Sequence, residues 1–238
     1  AGGTCKPPCV CALSQTLIKR GDNVGVVSRG YGRKAPKITI FVEAEPGAED
    51  VGNEPLLIKH TVPEVHVLVA QSRQEAVLGL LEAKTVDVIL SDDGLQHYPL
   101  YRDFEILVMD ASRGLGNGFL LPVGPLREPR SRLATVDCVL VRNGVYPTTS
   151  FVYVIKGFRR VITGERLSLD AGLAAWQGAQ VVAATGLGQP EQYFEMLKRK
   201  GLTFDTLTVA DHAVLPMEEI AAGYAPDVVL ITEKDAVK

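Results

Sequence analysis

The sequence lacks several features that would place it in a specialised class of protein. No apolar run approaches the roughly 20 residues that a membrane-crossing helix needs, so we expect no transmembrane helix here. The four cysteines are too few and too irregularly spaced for a disulfide framework, which favours a reducing compartment. With a net charge of −3, the chain lacks the positive excess of proteins that bind nucleic acid through overall charge, so no nucleic-acid partner is predicted. The 46% of hydrophobic and 22% of charged residues are typical of a folded chain.

The 238 residues are enough for one large domain or two compact ones. A turn-rich stretch at Asn143–Ser150 predicts a boundary between residues 1–147 and a smaller α/β lobe of residues 148–238. Neither end has a tail or capping composition, so we expect the sequence to begin and end inside structured regions.

Short runs rich in Val, Ile and Leu alternate with helical patterns. This alternation predicts an α/β fold with a mostly parallel sheet flanked by helices. The predicted strands are Val24–Val27, Val65–Val69, Val86–Leu90, Glu105–Met109, Cys138–Val141, Phe151–Lys156, Val181–Ala184, Leu207–Val209 and Val228–Ile231, the first five buried on both faces. The predicted helices are Pro7–Lys19, Ser72–Glu82, Glu191–Lys200 and Met217–Gly223, and the acidic stretch Glu43–Asp50 is predicted as an exposed loop.

Polar residues directly follow several of these strands, where a parallel sheet builds its ligand site. The most informative case is Ser91-Asp92-Asp93-Gly94, because two adjacent carboxylates at a strand end are typical of Mg²⁺ sites in phosphate-transferring enzymes. The alternative is that one Asp only caps the next turn.

The first residues, Gly2-Gly3-Thr4-Cys5-Lys6, precede a predicted helix and resemble a phosphate-binding loop. The match is imperfect, because that motif has Gly before the Lys and Ser or Thr after it. This chain has Cys5 and Pro7 at those positions, and Pro7 offers neither an N–H group nor a hydroxyl.

Two further motifs carry candidate residues. Glu128 stands beside Arg127 in a loop bounded by Gly and Pro, which by itself is also consistent with a solvated turn. Asp211-His212 follows a short predicted strand and could supply a base or a metal ligand, although an isolated Asp-His pair is more often structural.

Taken in order, these segments resemble one family, the tetraacyldisaccharide 4'-kinases that phosphorylate lipid A precursors in Gram-negative bacteria. The matching segments are Gly2-Gly3-Thr4 with Lys6, residues 28–33, Gly52 with residues 54–57, residues 91–97, residues 113–118, residues 121–129, Asp211-His212 and residues 232–238. The resemblance therefore covers the whole chain.

The resemblance implies a two-lobed P-loop kinase that uses ATP and Mg²⁺. Residues 1–147 would be the nucleotide-binding and catalytic lobe. The acceptor would be the 4'-hydroxyl of an acylated glucosamine disaccharide 1-phosphate, and the product lipid IVA. The implied location is the inner-membrane surface, on its cytoplasmic face; no protein partner is implied.

The resemblance also implies site residues by position. Gly2, Gly3, Thr4, Lys6, Arg29 and Gln96 would bind ATP, Asp92 and Glu128 would serve the metal, and Asn53, Asp93 and His212 would occupy catalytic positions.

Four positions depart from the family pattern. The family has Gly at Cys5, Thr at Pro7, a second His at Ala213, and at Asn53 an Asp that is the expected general base. Asn cannot take up a proton at neutral pH, so two alternatives follow: a working kinase in which Asp93 or His212 acts as the base, or a degenerate member that binds ligands without efficient turnover. A P-loop kinase for a soluble substrate remains a third hypothesis. Phe119, Leu120 and Leu121 either contact acyl chains or membrane, or pack under their own loop.

Overall fold

The structure is a computed structural model that describes residues 6–43, 47–145, 149–210 and 213–238. The chain divides into two compact units, residues 1–152 and 153–238. The predicted boundary after residue 147, and the roles given to the two lobes, stay predictions.

The first unit alternates strands and helices along the chain. Its elements are α1 (Lys6–Lys19), β1 (Val24–Ser28), β2 (Ile40–Phe41), α2 (Ala48–Val51), α3 (Asn53–Thr61), β3 (His66–Val69), α4 (Arg73–Ala83), β4 (Val88–Ser91), β5 (Ile106–Asp110), a 3-10 helix (Arg130–Ala134), β6 (Cys138–Arg142) and β7 (Ser150–Phe151).

The strand β1 is the centre of the first sheet, whose order is β2-β3-β1-β4. It runs parallel to β3, with Gly25 opposite His66, and parallel to β4, with Val24 opposite Val88. All five residues of β1 are buried, as expected for a strand with neighbours on both sides and helices over it. The carboxyl ends of β1, β3 and β4 therefore lie at one edge, and the loops that leave them meet there. Strands β5, β6 and β7 form a second parallel sheet.

The helix α4 shows how local sequence sets an element of this unit. Ser72 is its N-cap, and the Ser72 hydroxyl accepts the Glu75 backbone N–H at 3.1 Å. Ala76 and Leu80, four residues apart on one face, pack against Val27 and Leu68 of the sheet. The apolar face and the cap together define this helix.

The second unit is a smaller α/β structure. Its elements are β8 (Gly157–Arg159), β9 (Arg166–Ser168), α5 (Leu169–Ala175), β10 (Val181–Thr185), α6 (Pro190–Lys198), β11 (Asp205–Thr208), α7 (Met217–Tyr224), β12 (Val228–Leu230) and α8 (Glu233–Ala236). Strands β8 and β9 form an antiparallel hairpin, and the parallel sheet has the order β11-β10-β12.

The central strand β10 places alternate side chains on opposite faces of this sheet. Val181 and Ala183 pack with Phe194 and Leu197 of α6. Val182 and Ala184 pack with Ile220 of α7 on the other face. The two-residue period of a strand thus buries both faces of β10 under helices.

The predicted α/β architecture, mostly parallel sheets flanked by helices with a second, smaller α/β lobe, is confirmed. Several local predictions were wrong. Of the predicted strand Phe151–Lys156 only Phe151 pairs in β7, and α2 occupies part of the predicted loop Glu43–Asp50. Strands β4, β5 and β6 are half-buried, not buried on both faces as predicted; β4 and β5 are edge strands of their sheets. Within the described ranges no helix combines the length and hydropathy needed to cross a membrane.

Candidate active site

The candidate site lies at the carboxyl-end edge of the first sheet, where two segments distant in sequence meet. Lys6 is the first residue of α1, and its ammonium group forms an ion pair with the Asp93 carboxylate. Asp93 belongs to the loop that leaves β4. The fold thus joins the lysine of the predicted phosphate-binding loop to the predicted carboxylate pair across 87 positions.

Asp92 is the most unusual carboxylate of the site. Asp92 is 1% exposed, and neither of its carboxylate oxygens has a hydrogen-bond partner among the described residues. Burial raises the Asp92 pKa to about 7, and the nearby charges of Glu54 and Asp93 act in the same direction. A divalent cation would supply the missing positive charge, so these orphaned oxygens fit a hard cation such as Mg²⁺.

The neighbouring Asp93 has the opposite electrostatic character. Burial opposes its ionised form, but the hydrogen bond and charge of Lys6, with the charges of Arg73 and Arg127, outweigh that effect and lower the Asp93 pKa. Asp93 also has a positive φ of 53°, a backbone conformation that L-residues rarely adopt outside tight turns. The two adjacent carboxyl groups are therefore differentiated by their surroundings.

Two arginines hold the turn that carries these carboxylates. Arg73 donates to the carbonyl oxygens of Asp92 and Asp93 at 2.8 and 2.9 Å. Arg102 donates to the carbonyl oxygens of Gly94 and Leu95 at 2.9 and 3.0 Å. Four consecutive carbonyl groups are thus fixed by two guanidinium groups, which orients the turn.

Sequence reasoning missed Arg73, although one signal was present. Arg73 is the first residue of α4, where the helix dipole disfavours a positive charge. It is also buried, and burial lowers its pKa although the charges of Asp93 and Asp92 raise it. A cation at an unfavourable helix position that nevertheless lies in the interior indicates a specific anionic or carbonyl partner.

Gln96 and Glu128 are brought together by the structure. The Gln96 side-chain amide donates to Glu128 at 2.9 Å, and Arg132 donates to the other Glu128 oxygen at 3.0 Å. Arg132 also binds the Glu105 carboxylate at 2.6 and 2.7 Å, and Glu105 pairs with Arg102. Glu128 is thereby linked to the turn at 92–95, and its role toward the metal stays a prediction. Among the described side chains no group of three or more His, Cys, Asp or Glu residues has metal-binding geometry.

Asn53 begins α3, at the same edge of the sheet. The preceding Gly52 has φ +92°, and a Cβ atom there would lie 3.0 Å from the Cα of Gly30. This close approach packs the loop after β1 against the start of α3. It places Glu54, the neighbour of Asn53, near enough to Asp92 to affect its pKa.

The remaining predicted residues divide into described and undescribed ones. Arg29 is exposed directly after β1, and its positive charge helps to lower the pKa values of Arg73 and His97. Pro7 is buried in the first turn of α1, a position that tolerates proline. The predicted residues Gly2, Gly3, Thr4 and His212 lie outside the described residues.

A parallel α/β unit with a lysine at a helix start and paired carboxylates at a strand end is the arrangement of a P-loop phosphotransferase. The family model of tetraacyldisaccharide-1-P 4'-kinase matches residues 1–238. The chain therefore belongs to the tetraacyldisaccharide 4'-kinase family.

Individual relatives agree with this membership. A tetraacyldisaccharide 4'-kinase of Actinobacillus succinogenes is 43% identical over all of this chain and 72% of its own length. A relative of the same name from Legionella pneumophila is 39% identical over all of this chain and 71% of its own. The crystal structure of an "apo" form of LpxK from Aquifex aeolicus in complex with ATP has a TM-score of 0.75 and 27% identity, covering all of this chain and 76% of that one.

Proposed function

We propose that this chain transfers the γ-phosphoryl group of ATP to the 4'-hydroxyl of tetraacyldisaccharide 1-phosphate, giving lipid IVA in lipid A biosynthesis. The family membership and the names of the relatives support this reaction. The structural observation that carries the proposal is the contact of Lys6 with Asp93 beside the buried, unpartnered Asp92. Phosphoryl transfer depends on positioned cations and carboxylates of this kind.

Each group of the site has a role consistent with its surroundings. Lys6, at the N-terminus of α1, would bind the β- and γ-phosphates, and the exposed Arg29 would face the same anion. Asp92 would hold Mg²⁺, because its two oxygens have no other partner among the described side chains. The bound ion would neutralise charge on the phosphate oxygens.

This chain departs from its family at the position of the general base. Asn53 cannot take up the hydroxyl proton, whereas Asp93 is held ionised by Lys6. When Lys6 binds a phosphate, Asp93 loses its strongest partner and its carboxylate becomes available to accept a proton. We therefore assign the base to Asp93; His212, the other candidate, lies outside the described residues.

A second candidate function is favoured by the same departure. With Asn at position 53 and Pro at position 7, the chain would bind nucleotide or lipid without efficient turnover. General-base catalysis contributes roughly 10²–10⁴-fold in rate, so its loss would leave a very slow enzyme.

The proposed acceptor is an amphiphile, and the proposed location is accordingly the cytoplasmic face of the inner membrane. A lipid surface is thus the proposed partner, and neither a nucleic acid nor a protein partner is part of the proposal.

The test is transfer of labelled γ-phosphate from Mg-ATP to tetraacyldisaccharide 1-phosphate in detergent micelles. The chain is compared with Lys6→Ala, which should lose Mg-ATP affinity, and with Asp103→Asn, an exposed carboxylate that should not matter. A parallel sample carries Cys5→Gly, Pro7→Thr and Asn53→Asp together.

Transfer by the unaltered chain that Lys6→Ala abolishes supports the proposal. Transfer only by the triple variant supports the degenerate alternative. Equal phosphorylation of a soluble, unacylated glucosamine disaccharide 1-phosphate would instead support a kinase for soluble substrates.

A further inference from the structure

A turn of residues 119–123, here called the apolar turn, exposes large hydrophobic side chains beside the candidate site. Phe119 and Leu121 are each 60% exposed, and Val123 is 71% exposed. From the sequence, Phe119 and Leu121 could also have packed under their own loop, but in the structure these side chains are exposed. A cluster of exposed apolar side chains of this kind marks an interaction surface.

Hydrogen bonds within residues 117–126 hold the backbone of the apolar turn. The Leu121 N–H donates to the Leu126 carbonyl at 2.8 Å, and the Leu126 N–H returns to the Phe119 carbonyl at 3.1 Å. The Asn117 side-chain amide caps the Val123 carbonyl at 3.0 Å. These bonds hold the loop in one conformation, in which the apolar side chains face outward.

The charged residues next to the apolar turn in sequence are mostly positive. Between residues 111 and 136 the sequence has four arginines and one acidic residue, Glu128, which is already engaged by Arg132 and Gln96. Arg113 and Arg130 are exposed, and no ion pair is found for either among the described residues. Arg130 lies over Gly118 and lines an open groove of about 550 Å³ together with Phe119, Leu121 and Val123.

Exposed Phe, Leu and Val side chains flanked by exposed arginines match the chemistry of an anionic bilayer, which offers hydrocarbon below a layer of negative headgroups. We propose that the apolar turn inserts into the interface of an anionic phospholipid membrane, with Arg113 and Arg130 binding its headgroups. This inference rests on the proposed function for its purpose. Glu128, five residues after the apolar turn, accepts the Gln96 amide of the candidate site, so a turn held at a membrane would bring that site to a membrane-borne acceptor.

The test is flotation of the full chain with vesicles of phosphatidylcholine alone, or of an equal mixture of phosphatidylcholine and phosphatidylglycerol, without ATP or acceptor. The double variant Phe119→Ser with Leu121→Ser removes the apolar contacts. Its matched control is Leu78→Gln with Leu81→Gln, which removes two exposed leucines of α4 in the same unit. A third variant, Arg113→Gln with Arg130→Gln, removes the charges alone.

We expect the chain and the α4 control to bind the anionic vesicles, and the apolar-turn variant to bind them at least about tenfold more weakly. The arginine variant should lose about tenfold or more on anionic vesicles, and added salt should weaken binding of the unaltered chain. Mg-ATP affinity of the apolar-turn variant should be unchanged, which shows that it is folded.

Absence of vesicle binding by the unaltered chain, or equal binding by the two double variants, overturns the inference. It is also overturned if the apolar-turn variant retains vesicle binding but converts a dimer into a monomer, or raises only the KM for the acylated acceptor. Conversion of a dimer into a monomer would assign the apolar turn to contact with a second copy of the chain. A raised KM alone would assign it to contact with the acyl chains of the substrate. Because vesicle binding requires no turnover, its failure is distinguishable from failure of the kinase proposal.

Discussion

Replacing Asp92 by Asn should stabilise the metal-free protein while abolishing its response to Mg-ATP. Asp92 is buried beside Glu54 and Asp93, and its pKa rises from the ordinary 3.8 to about 7. Between about pH 4 and pH 7, the folded chain therefore holds a proton on Asp92 that the unfolded chain has released. The contribution of Asp92 to folding stability therefore falls as the pH rises from about 4 to about 7, and then levels off.

The magnitude follows from the same two values. A difference of about three pH units at 1.36 kcal/mol each corresponds to about 4 kcal/mol of stability that Asp92 removes at pH 8. Asn has the same shape and no charge to desolvate, so Asp92→Asn should recover much of this free energy at pH 8. The gain should shrink steadily toward pH 4.

The assay is urea unfolding with EDTA at several pH values, followed by far-UV circular dichroism. The single tryptophan, Trp176, lies in the second unit and reports that unit separately by fluorescence. Asp103→Asn, at an exposed position, controls for the loss of one negative charge. In a second arm, Mg-ATP should raise the melting temperature of the unaltered chain and leave Asp92→Asn unchanged.

Two results would refute this reasoning. One is a difference in unfolding free energy between Asp92→Asn and the unaltered chain that does not vary with pH. The other is a loss of stability in Asp92→Asn at pH 8, which would mean that the Asp92 carboxylate is satisfied in the folded protein.

Three further predictions concern other residues. Arg73→Gln should lower turnover by roughly 10–100-fold, with a smaller change in Mg-ATP affinity. The reason is that two carbonyls of the carboxylate turn, one buried and one partly buried, lose a charged donor, at about 1–3 kcal/mol; an unchanged kcat would contradict a positioning role. Asn53→Asp should raise turnover by up to about 10²–10⁴-fold if the missing base limits the reaction, and no gain would place the limit elsewhere. Asp235→Ala should destabilise the second unit by about 3–5 kcal/mol in urea unfolding followed by Trp176. The buried Lys238 ammonium now lies 2.7 Å from the Asp235 carboxylate, and without it would keep only the Ala213 carbonyl among the described partners. Asp235→Asn should cost less, and equal losses in the two variants would contradict this account.

Much of the secondary structure could be predicted because its signals are local. The N-cap at Ser72 and the apolar runs of β1 and β10 each depend on a few neighbouring residues, and the structure contains all three features. The helix α3 escaped prediction, because its buried stretch Leu56–Ile58 is too short to show a helical period. The two-stranded hairpin of β8 and β9 likewise has only three residues in each strand.

By itself, the sequence determined the α/β alternation, the carboxylate pair at the end of a strand and the position of Lys6 before a helix. Only the tertiary structure decided that Asp92 is buried with no hydrogen-bond partner among the described residues, while its neighbour Asp93 pairs with Lys6. It also decided that Arg73 and Arg102 hold the turn between them. The physical reason is that desolvation and charge pairing depend on groups brought together from distant parts of the chain, which no local pattern records.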